Sequence, residues 1–175
     1  MDSLANGSTN TDLIKAGLLY SYVNELKVYK CPSDKKQVGG ADTARSMSMN
    51  GWMNPIQGWN ADRGYSGPKL LKEYRKESDI GNASRTWVFI DENPFSINDG
   101  MFVCDPNVSV WIDLQASYHN GAGGLSFADG HAEIRKWNDS HVRGCNATPA
   151  KNGTAQDAAT GDLLWLQERT TARLQ

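Results

Sequence analysis

Residues 125–134 constrain the fold of this chain more than any other part of its sequence. Two runs that alternate apolar and polar side chains flank Asp129-Gly130, a dipeptide typical of a two-residue type I′ β-turn. Such a turn fixes the register of the strands on either side of it, and the register decides which face is buried. The predicted hairpin has one apolar face, made by two cross-strand pairs: Phe127 with Ala132, and Leu125 with Ile134.

The remaining chain shows short apolar patterns separated by turn-rich loops. Periodicity and flanking Gly, Pro and Asn predict three further strands and three helices. We therefore expect an α+β fold, loop-rich, with an antiparallel β-sheet and N-terminal and C-terminal helices. It forms one domain over residues 11–175, after a flexible lead-in at residues 1–10. The predicted strands are Arg45–Met53, Arg85–Ile90 and Met101–Cys104, and the predicted helices are Thr11–Lys27, Leu70–Ile80 and Asp162–Arg173.

The charge balance excludes one class of partner. The 175 residues include 18 basic and 20 acidic side chains, which leave a net charge of −2. No basic cluster occurs along the chain, so we expect no nucleic-acid partner. The sequence also contains no apolar run of the roughly 20 residues that span a bilayer.

The sequence contains no G-x-S-x-G or H-E-x-x-H motif, no phosphate-binding Gly-rich loop with Lys and no dinucleotide-binding fingerprint. One cluster of metal-ligand types remains: His119, Asp129 and His131, all in or beside the hairpin. Two imidazoles and a carboxylate suit zinc or iron, so these residues are a candidate transition-metal site. In the alternative interpretation, Asp129 is an ordinary turn residue and the imidazoles make structural hydrogen bonds.

A second polar group lies in the loop of residues 91–100. Its side chains carry oxygen ligands of the kind that calcium prefers, although their spacing does not fit an EF-hand. A solvated loop without an ion is the alternative. The candidate calcium ligands are Asp91, Glu92, Asn93, Asn98 and Asp99.

The aromatic residues and cysteines leave further alternatives open. Trp52, Trp59 and Trp111 are candidates for stacking on sugar rings; otherwise, loop tryptophans fold back over the core. Trp87 and Trp165 lie in apolar runs and are predicted to be buried. The cysteines Cys31, Cys104 and Cys145 are either buried small residues or, outside the cytosol, a Cys104–Cys145 pair with one free thiol.

Five segments together resemble one protein family. His119, followed by nine residues and Asp129-Gly130, resembles the H-x9-DG signature of bacterial prepilin-type, pseudopilin-like proteins. The five segments occur in the family's order and are distributed over most of residues 11–171. The other four are Tyr29–Asp34, which resembles the family's CP-x-D pattern, Arg45–Gly51, Ile90–Asn93 and Leu164–Thr171.

The resemblance implies the head domain of an envelope protein. Such proteins begin with a short basic leader, which a prepilin peptidase removes before the parent prepilin is methylated. An apolar helix follows, anchors in the inner membrane and packs into a filament. This sequence starts with neither, so we expect a truncated, water-exposed portion that is periplasmic or extracellular and meets the membrane only through the absent helix. Related pseudopilins of type II secretion pack a β-sheet head on that helix, and some bind calcium in a loop.

The function implied is non-catalytic. The head would take part in filament assembly in a type II secretion or type IV pilus-like system. Loops 54–68 and 138–161 would face other pseudopilin subunits or secreted substrate proteins, and His119, Asp129 and Gly130 would hold the hairpin in register. Two alternatives rest on the residues themselves. One is an extracellular carbohydrate-binding module that binds polysaccharide through the loop tryptophans, and the other is a metal-dependent enzyme built on the His119 cluster.

Overall fold

The structure, a computed structural model, describes residues 8–139 and 161–174 and has a mixed α+β fold. A five-stranded sheet is accompanied by a two-stranded ribbon, short α-helices and 3₁₀ turns. The strands are β1 (Gln37–Val38), β2 (Ala41–Asp42), β3 (Met47–Asn50), β4 (Trp87–Asp91), β5 (Met101–Phe102), β6 (Ala122–Phe127) and β7 (Ala132–Lys136). The α-helices are α1 (Thr11–Lys15), α2 (Tyr20–Val23), α3 (Trp59–Asp62) and α4 (Gly161–Gln167), and the 3₁₀ turns are Leu26–Tyr29, Gly67–Lys69 and Glu77–Asp79.

The large sheet has the strand order β5-β3-β4-β6-β7 and is not wholly antiparallel as predicted. β4 runs antiparallel to both β3 and β6, with Ile90 opposite Ser48 on one side and Leu125 on the other. β5 pairs with the far edge of β3 and runs parallel to it. The reason is topological: the chain reverses direction after β4, and β3 already runs opposite to β4. A strand that returns to the far side of β3 therefore has the direction of β3.

The hairpin β6–β7 forms with a register that differs by one residue from the predicted one. Phe127 N donates to the His131 carbonyl (2.9 Å), which leaves a three-residue loop instead of two. Gly130 alone in this loop has a positive φ, at 93°, whereas a type I′ turn needs two such residues. The shift pairs Leu125 with Glu133, and Ile134, expected on the buried face, is 62% exposed.

The N-terminal segment is not the continuous helix predicted over Thr11–Lys27. It forms α1, α2 and a 3₁₀ turn. Gly17 lies between α1 and α2, and Asn24, in the left-handed region with φ 51°, ends α2. None of the three pieces buries a residue. A long amphipathic helix gains its stability mainly by packing its apolar stripe, so without that packing the glycine breaks the pattern. Residues 8–10 of the predicted lead-in are placed, and Ser8 O accepts from Ala44 N (2.7 Å).

The surface helix predicted over Leu70–Ile80 is also wrong. Tyr74 N donates to Trp52 O (2.9 Å), and Lys72 N donates to Ala172 O (2.7 Å). Because these amides bond to distant segments, the chain is extended here, and only Glu77–Asp79 forms a 3₁₀ turn. The pairing with Lys72 also holds the chain around Ala172 outside a helix. α4 therefore ends at Gln167, although the sequence predicts a helix up to Arg173.

The core lies between the sheet and α4. Leu163 and Leu166 of α4 pack in the main cluster with Trp87 and Phe102 of the sheet, while Trp165 is partly buried against it. A second cluster, formed by Trp52, Trp59 and Leu71, lies under the loop that contains α3.

Candidate functional site

The metal site predicted at His119, Asp129 and His131 is not formed. His119 precedes β6, whereas Asp129 lies in the loop that follows this strand and His131 is the residue directly after that loop. The six residues of β6 separate its two ends by about 17 Å. Ligands at opposite ends of the strand cannot reach one ion.

Asp129 and His131 contact each other and the hairpin. Asp129 Oδ1 accepts from His131 N (3.2 Å) and lies 2.6 Å from His131 Nδ1. These hydrogen bonds hold the pKa of Asp129 below its ordinary value. The His131 ring also stacks on Phe127, with ring centroids 4.3 Å apart. Together with the positive φ of Gly130, these are the contacts of a turn, and none of them involves His119.

A different turn positions His119. His119 N donates to Ala122 O (3.0 Å), and Ala122 N donates back to His119 O (3.2 Å). Between them, Asn120 and Gly121 both have positive φ, at 54° and 83°. This is the pattern of a type I′ turn, for which Asn-Gly is the preferred dipeptide. The turn holds His119 at the start of β6, next to the end of β4.

There His119 meets Cys31 and Asp91, and we refer to these three side chains as the Cys31 cluster. His119 Nε2 lies 3.4 Å from Cys31 Sγ and 3.8 Å from Asp91 Oδ2. One ligand atom from each residue lies within 4.8 Å of the other two, and no other group of three or more His, Cys, Asp or Glu ligand atoms lies as close together among residues 8–139 and 161–174. Cys31 is 9% exposed and is held by its amide, which donates to Ser46 Oγ (2.7 Å).

Asp91 is the most buried member of the cluster. It ends β4, and its Oδ2 accepts from Gly124 N (2.9 Å) on the neighbouring strand. Its Oδ1 is buried and has no hydrogen-bond partner among the described residues. Burial raises the pKa of Asp91, while the Gly124 amide and His119 oppose that change. A Cβ at position 124 would lie 3.0 Å from Asp91 Oδ2, so the glycine makes room for the carboxylate.

The geometry differs from that of a Cys-His-Asp nucleophilic triad. In a triad the acid bonds to one imidazole nitrogen and the nucleophile to the other. Here both Cys31 Sγ and Asp91 Oδ2 approach Nε2 of His119. The three side chains therefore surround a common point.

A cavity of about 490 Å³ opens against the Cys31 cluster. Its wall is mainly apolar, and Ile134, exposed on β7, forms part of it. Lys27 and Lys30 also line the cavity. The shifted hairpin register explains this wall, because Ile134 pairs with Gly124 beside Asp91.

The candidate calcium ligands do not converge. Asp91 faces the Cys31 cluster, while Asp99 Oδ1 accepts from Met101 N (2.8 Å). Burial raises the pKa of Glu92 to about 8, and the positive charge that faces both Glu92 and Asp99 is the guanidinium of Arg45. Asn93 Oδ1 accepts from the amide of Phe95 (2.9 Å). The guanidinium of Arg45 thus provides, in this loop, the positive charge that the sequence suggested a bound calcium ion would provide.

The three candidate sugar-stacking tryptophans are buried, which corrects the expectation of exposed rings. Trp52 is fully buried, and Trp59 and Trp111 are 8% and 1% exposed. Trp52 Nε1 donates to Cys104 O (3.0 Å), and its ring meets that of Trp59 edge-on. The guanidinium of Arg63 covers Trp59 at 4.4 Å. These rings pack on the protein and offer no stacking platform.

The cysteines divide into two environments. Cys104 is a free thiol in the main core, and burial raises its pKa to about 12. Cys145, its suggested partner, lies outside the described residues. Cys31 is also a free thiol, but it borders the cavity.

Sequence reasoning named each member of the Cys31 cluster without bringing the three together. The sequence suggests a buried small residue or a free thiol at Cys31, a calcium ligand at Asp91 and a metal ligand at the hairpin for His119. A usable signal was present, because the segments Tyr29–Asp34, Ile90–Asn93 and the H-x9-DG signature contribute one side chain each. The Asn120-Gly121 dipeptide was the second signal, since it predicts the turn that positions His119.

Comparison of the chain with models of protein families, with curated proteins and with solved structures found no match. Among the described residues, none of the helices has the length and apolar character that crossing a bilayer requires.

Proposed function

We propose that this chain is the non-catalytic head domain of a pseudopilin-like envelope protein that takes part in filament assembly and partner recognition. The observation that carries the proposal is an apolar face on the N-terminal segment that no other described part of the chain covers. Leu18 is 89% exposed and Tyr22 is 87% exposed, although both are of a size usually buried. The other exposed apolar side chains of the N-terminal segment are Leu13, Leu19, Val23 and Val28, of which Val28 borders the cavity at the Cys31 cluster.

A groove beside this face has the size of a helix. The N-terminal groove, of about 1290 Å³, lies between the N-terminal segment and the outer side of the sheet, where Met47, Met49 and Phe89 line it. A helix about 10 Å wide would fill that volume over ~16 Å, or about three turns. Methionine side chains adapt readily to different partner surfaces. We propose that an apolar helix of a neighbouring pseudopilin-like subunit occupies the groove.

The segments that resemble the prepilin-type family support the same proposal. They include β3 and the end of β4, which form the centre of the sheet. In this proposal the head also presents loop 54–68 to subunits or secreted proteins, in the periplasm or outside the cell. Most of loop 138–161, the second expected recognition loop, lies outside the described residues. The polysaccharide alternative has no such support, because its three tryptophans are buried.

Site-specific photo-crosslinking in cells that produce the protein tests the proposal. A photoreactive amino acid replaces Leu18 in one variant and Ile134, an exposed apolar residue on the far edge of the sheet, in the control. We expect Leu18 to crosslink to a second copy of this chain or to another subunit with a prepilin-type anchoring helix, identified by mass spectrometry. Equal yields at both positions, or products with chaperones alone, would refute the assembly role.

A further inference from the structure

We propose that Cys31, Asp91 and His119 bind a divalent transition-metal ion of the zinc class, with one coordination position open toward the cavity. This site is new relative to the metal site expected at the hairpin, and of that group it keeps only His119. The inference does not depend on the filament role, because it rests on the contacts of the Cys31 cluster alone.

The spacing around His119 Nε2 is close to that of a metal site. Around a tetrahedral zinc ion, bonds of about 2.3 Å to sulfur and about 2.0 Å to nitrogen or oxygen place neighbouring ligand atoms ~3.3–3.6 Å apart. The structure has 3.4 Å between Cys31 Sγ and His119 Nε2, and 3.8 Å between His119 Nε2 and Asp91 Oδ2. The third pair, Cys31 Sγ and the Asp91 carboxylate, lies within 4.8 Å. An ion would fit between the three ligand atoms once rotation of the side chains brings this pair to a similar separation.

A second, independent observation comes from the buried carboxylate of Asp91. Its side chain is 4% exposed, and its Oδ1 has no hydrogen-bond partner among the described residues. This is the other oxygen of the carboxylate whose Oδ2 lies 3.8 Å from His119 Nε2. A buried carboxylate with an unpartnered oxygen is costly, and a cation bound by the same carboxylate is one way to compensate. Lys27 and Lys30 line the same cavity, but in the described part of the chain neither forms an ion pair with Asp91.

The donor set selects the kind of metal. One thiolate sulfur, one imidazole nitrogen and one carboxylate oxygen suit zinc, whereas calcium and magnesium prefer oxygen ligands alone. Three protein ligands also leave a position for water or another ligand, as in sites where the metal binds a further molecule. The cavity of about 490 Å³ is lined by all three ligand residues, and we place the open coordination position toward it.

The protein holds the three ligands on separate, fixed elements. His119 lies at the type I′ turn before β6, Asp91 ends β4, and the amide of Cys31 is bonded to Ser46. The Gly124 amide further orients the Asp91 carboxylate. Such support reduces the ordering cost of metal binding and raises affinity.

Binding of cobalt and zinc to the purified chain tests the inference. Co²⁺ titrated into metal-free protein should give one equivalent of a tetrahedral complex with a sulfur-to-cobalt charge-transfer absorption, and Zn²⁺ should displace it. In Cys31→Ser the charge-transfer band should disappear. In His119→Ala and Asp91→Asn, affinity should fall at least about 10-fold.

Two matched variants control for histidine and cysteine content. His131→Ala removes the exposed histidine of the hairpin, and Cys104→Ser removes the thiol of the main core. Both should keep the cobalt spectrum, with circular dichroism used to check folding. In the wild-type protein, Zn²⁺ should slow alkylation of Cys31, a measurement that needs no variant to fold.

Three results would each overturn the inference. The first is a wild-type chain without a charge-transfer band. The second is cobalt binding that survives Cys31→Ser with its spectrum unchanged. The third is alkylation of Cys31 at the same rate with and without zinc.

Discussion

Replacement of Asn50 by alanine tests how the sheet is joined to the C-terminal segment. Asn50 is fully buried at the end of β3. Its Nδ2 donates to the carbonyl oxygens of Trp87 (3.0 Å) and Thr170 (2.9 Å), and its Oδ1 accepts from Trp52 N (3.0 Å). One amide side chain thus connects β3 to β4, to the residues after α4 and to the second core cluster.

The expected cost follows from these contacts. Three buried hydrogen bonds contribute a net stabilisation of about 1 kcal/mol each, and the loss of the amide group adds a small void worth about 1 kcal/mol. Asn50→Ala should therefore lower the free energy of unfolding by about 4 kcal/mol. A domain of this size is typically stable by about 5–15 kcal/mol, so the variant should be close to its limit.

Urea unfolding, followed by tryptophan fluorescence, measures the change. Asn98→Ala is the control, since Asn98 is exposed and its removal should change stability by less than about 0.5 kcal/mol. A loss below about 1 kcal/mol for Asn50→Ala, with an unchanged urea dependence, would refute the idea that this residue joins the three segments.

Three further predictions concern charge and backbone geometry. Burial raises the pKa of Asp113 to about 6, so its carboxyl binds a proton more tightly in the folded chain than in the unfolded one. As the pH rises from 4 to 7, the wild type should therefore lose up to about 3 kcal/mol of its free energy of unfolding relative to Asp113→Asn, as measured by urea unfolding. A Cβ at position 123 would lie 2.6 Å from Ala116 O, so Gly123→Ala should cost about 3 kcal/mol while Gly81→Ala, with open space around it, should be neutral in the same assay. Gly130→Ala should lower the free energy of unfolding by about 1–2 kcal/mol, because φ at this position is 93°. An unchanged free energy would contradict the three-residue loop with a left-handed residue at position 130.

The two Gly turns show what a sequence pattern can and cannot predict. Asp129-Gly130 correctly predicted a hairpin between two strands, but not its loop length. Both Asp-Gly and Asn-Gly suit a type I′ turn, and the structure has that geometry at Asn120-Gly121 instead. The choice is made by tertiary contacts: Ala128 N, inside the longer loop, donates to Thr86 O (2.9 Å), a bond that no local pattern encodes.

The sequence predicts more helix than the structure contains, and tertiary contacts again explain the difference. Apolar spacing in Thr11–Lys27 and charge in Leu70–Ile80 favour helix only if the backbone has no better partners. In the second segment it has them, since residues 71–74 bond to the chain around Trp52 and Arg173. In the first, the apolar stripe has nothing to pack on among the described residues, so propensity decides and Gly17 interrupts it.

The glycines between His119 and the core of β6 link the fold to the candidate site. Gly123 and Gly124 lie on a strand that is buried except at Ser126. Gly123 leaves room for the Ala116 carbonyl, and Gly124 leaves room for the Asp91 carboxylate. A side chain at position 124 would displace Asp91 Oδ2 from the amide that holds it. The Cys31 cluster therefore depends on the close approach of β4 and β6, and this approach depends on the absence of a Cβ.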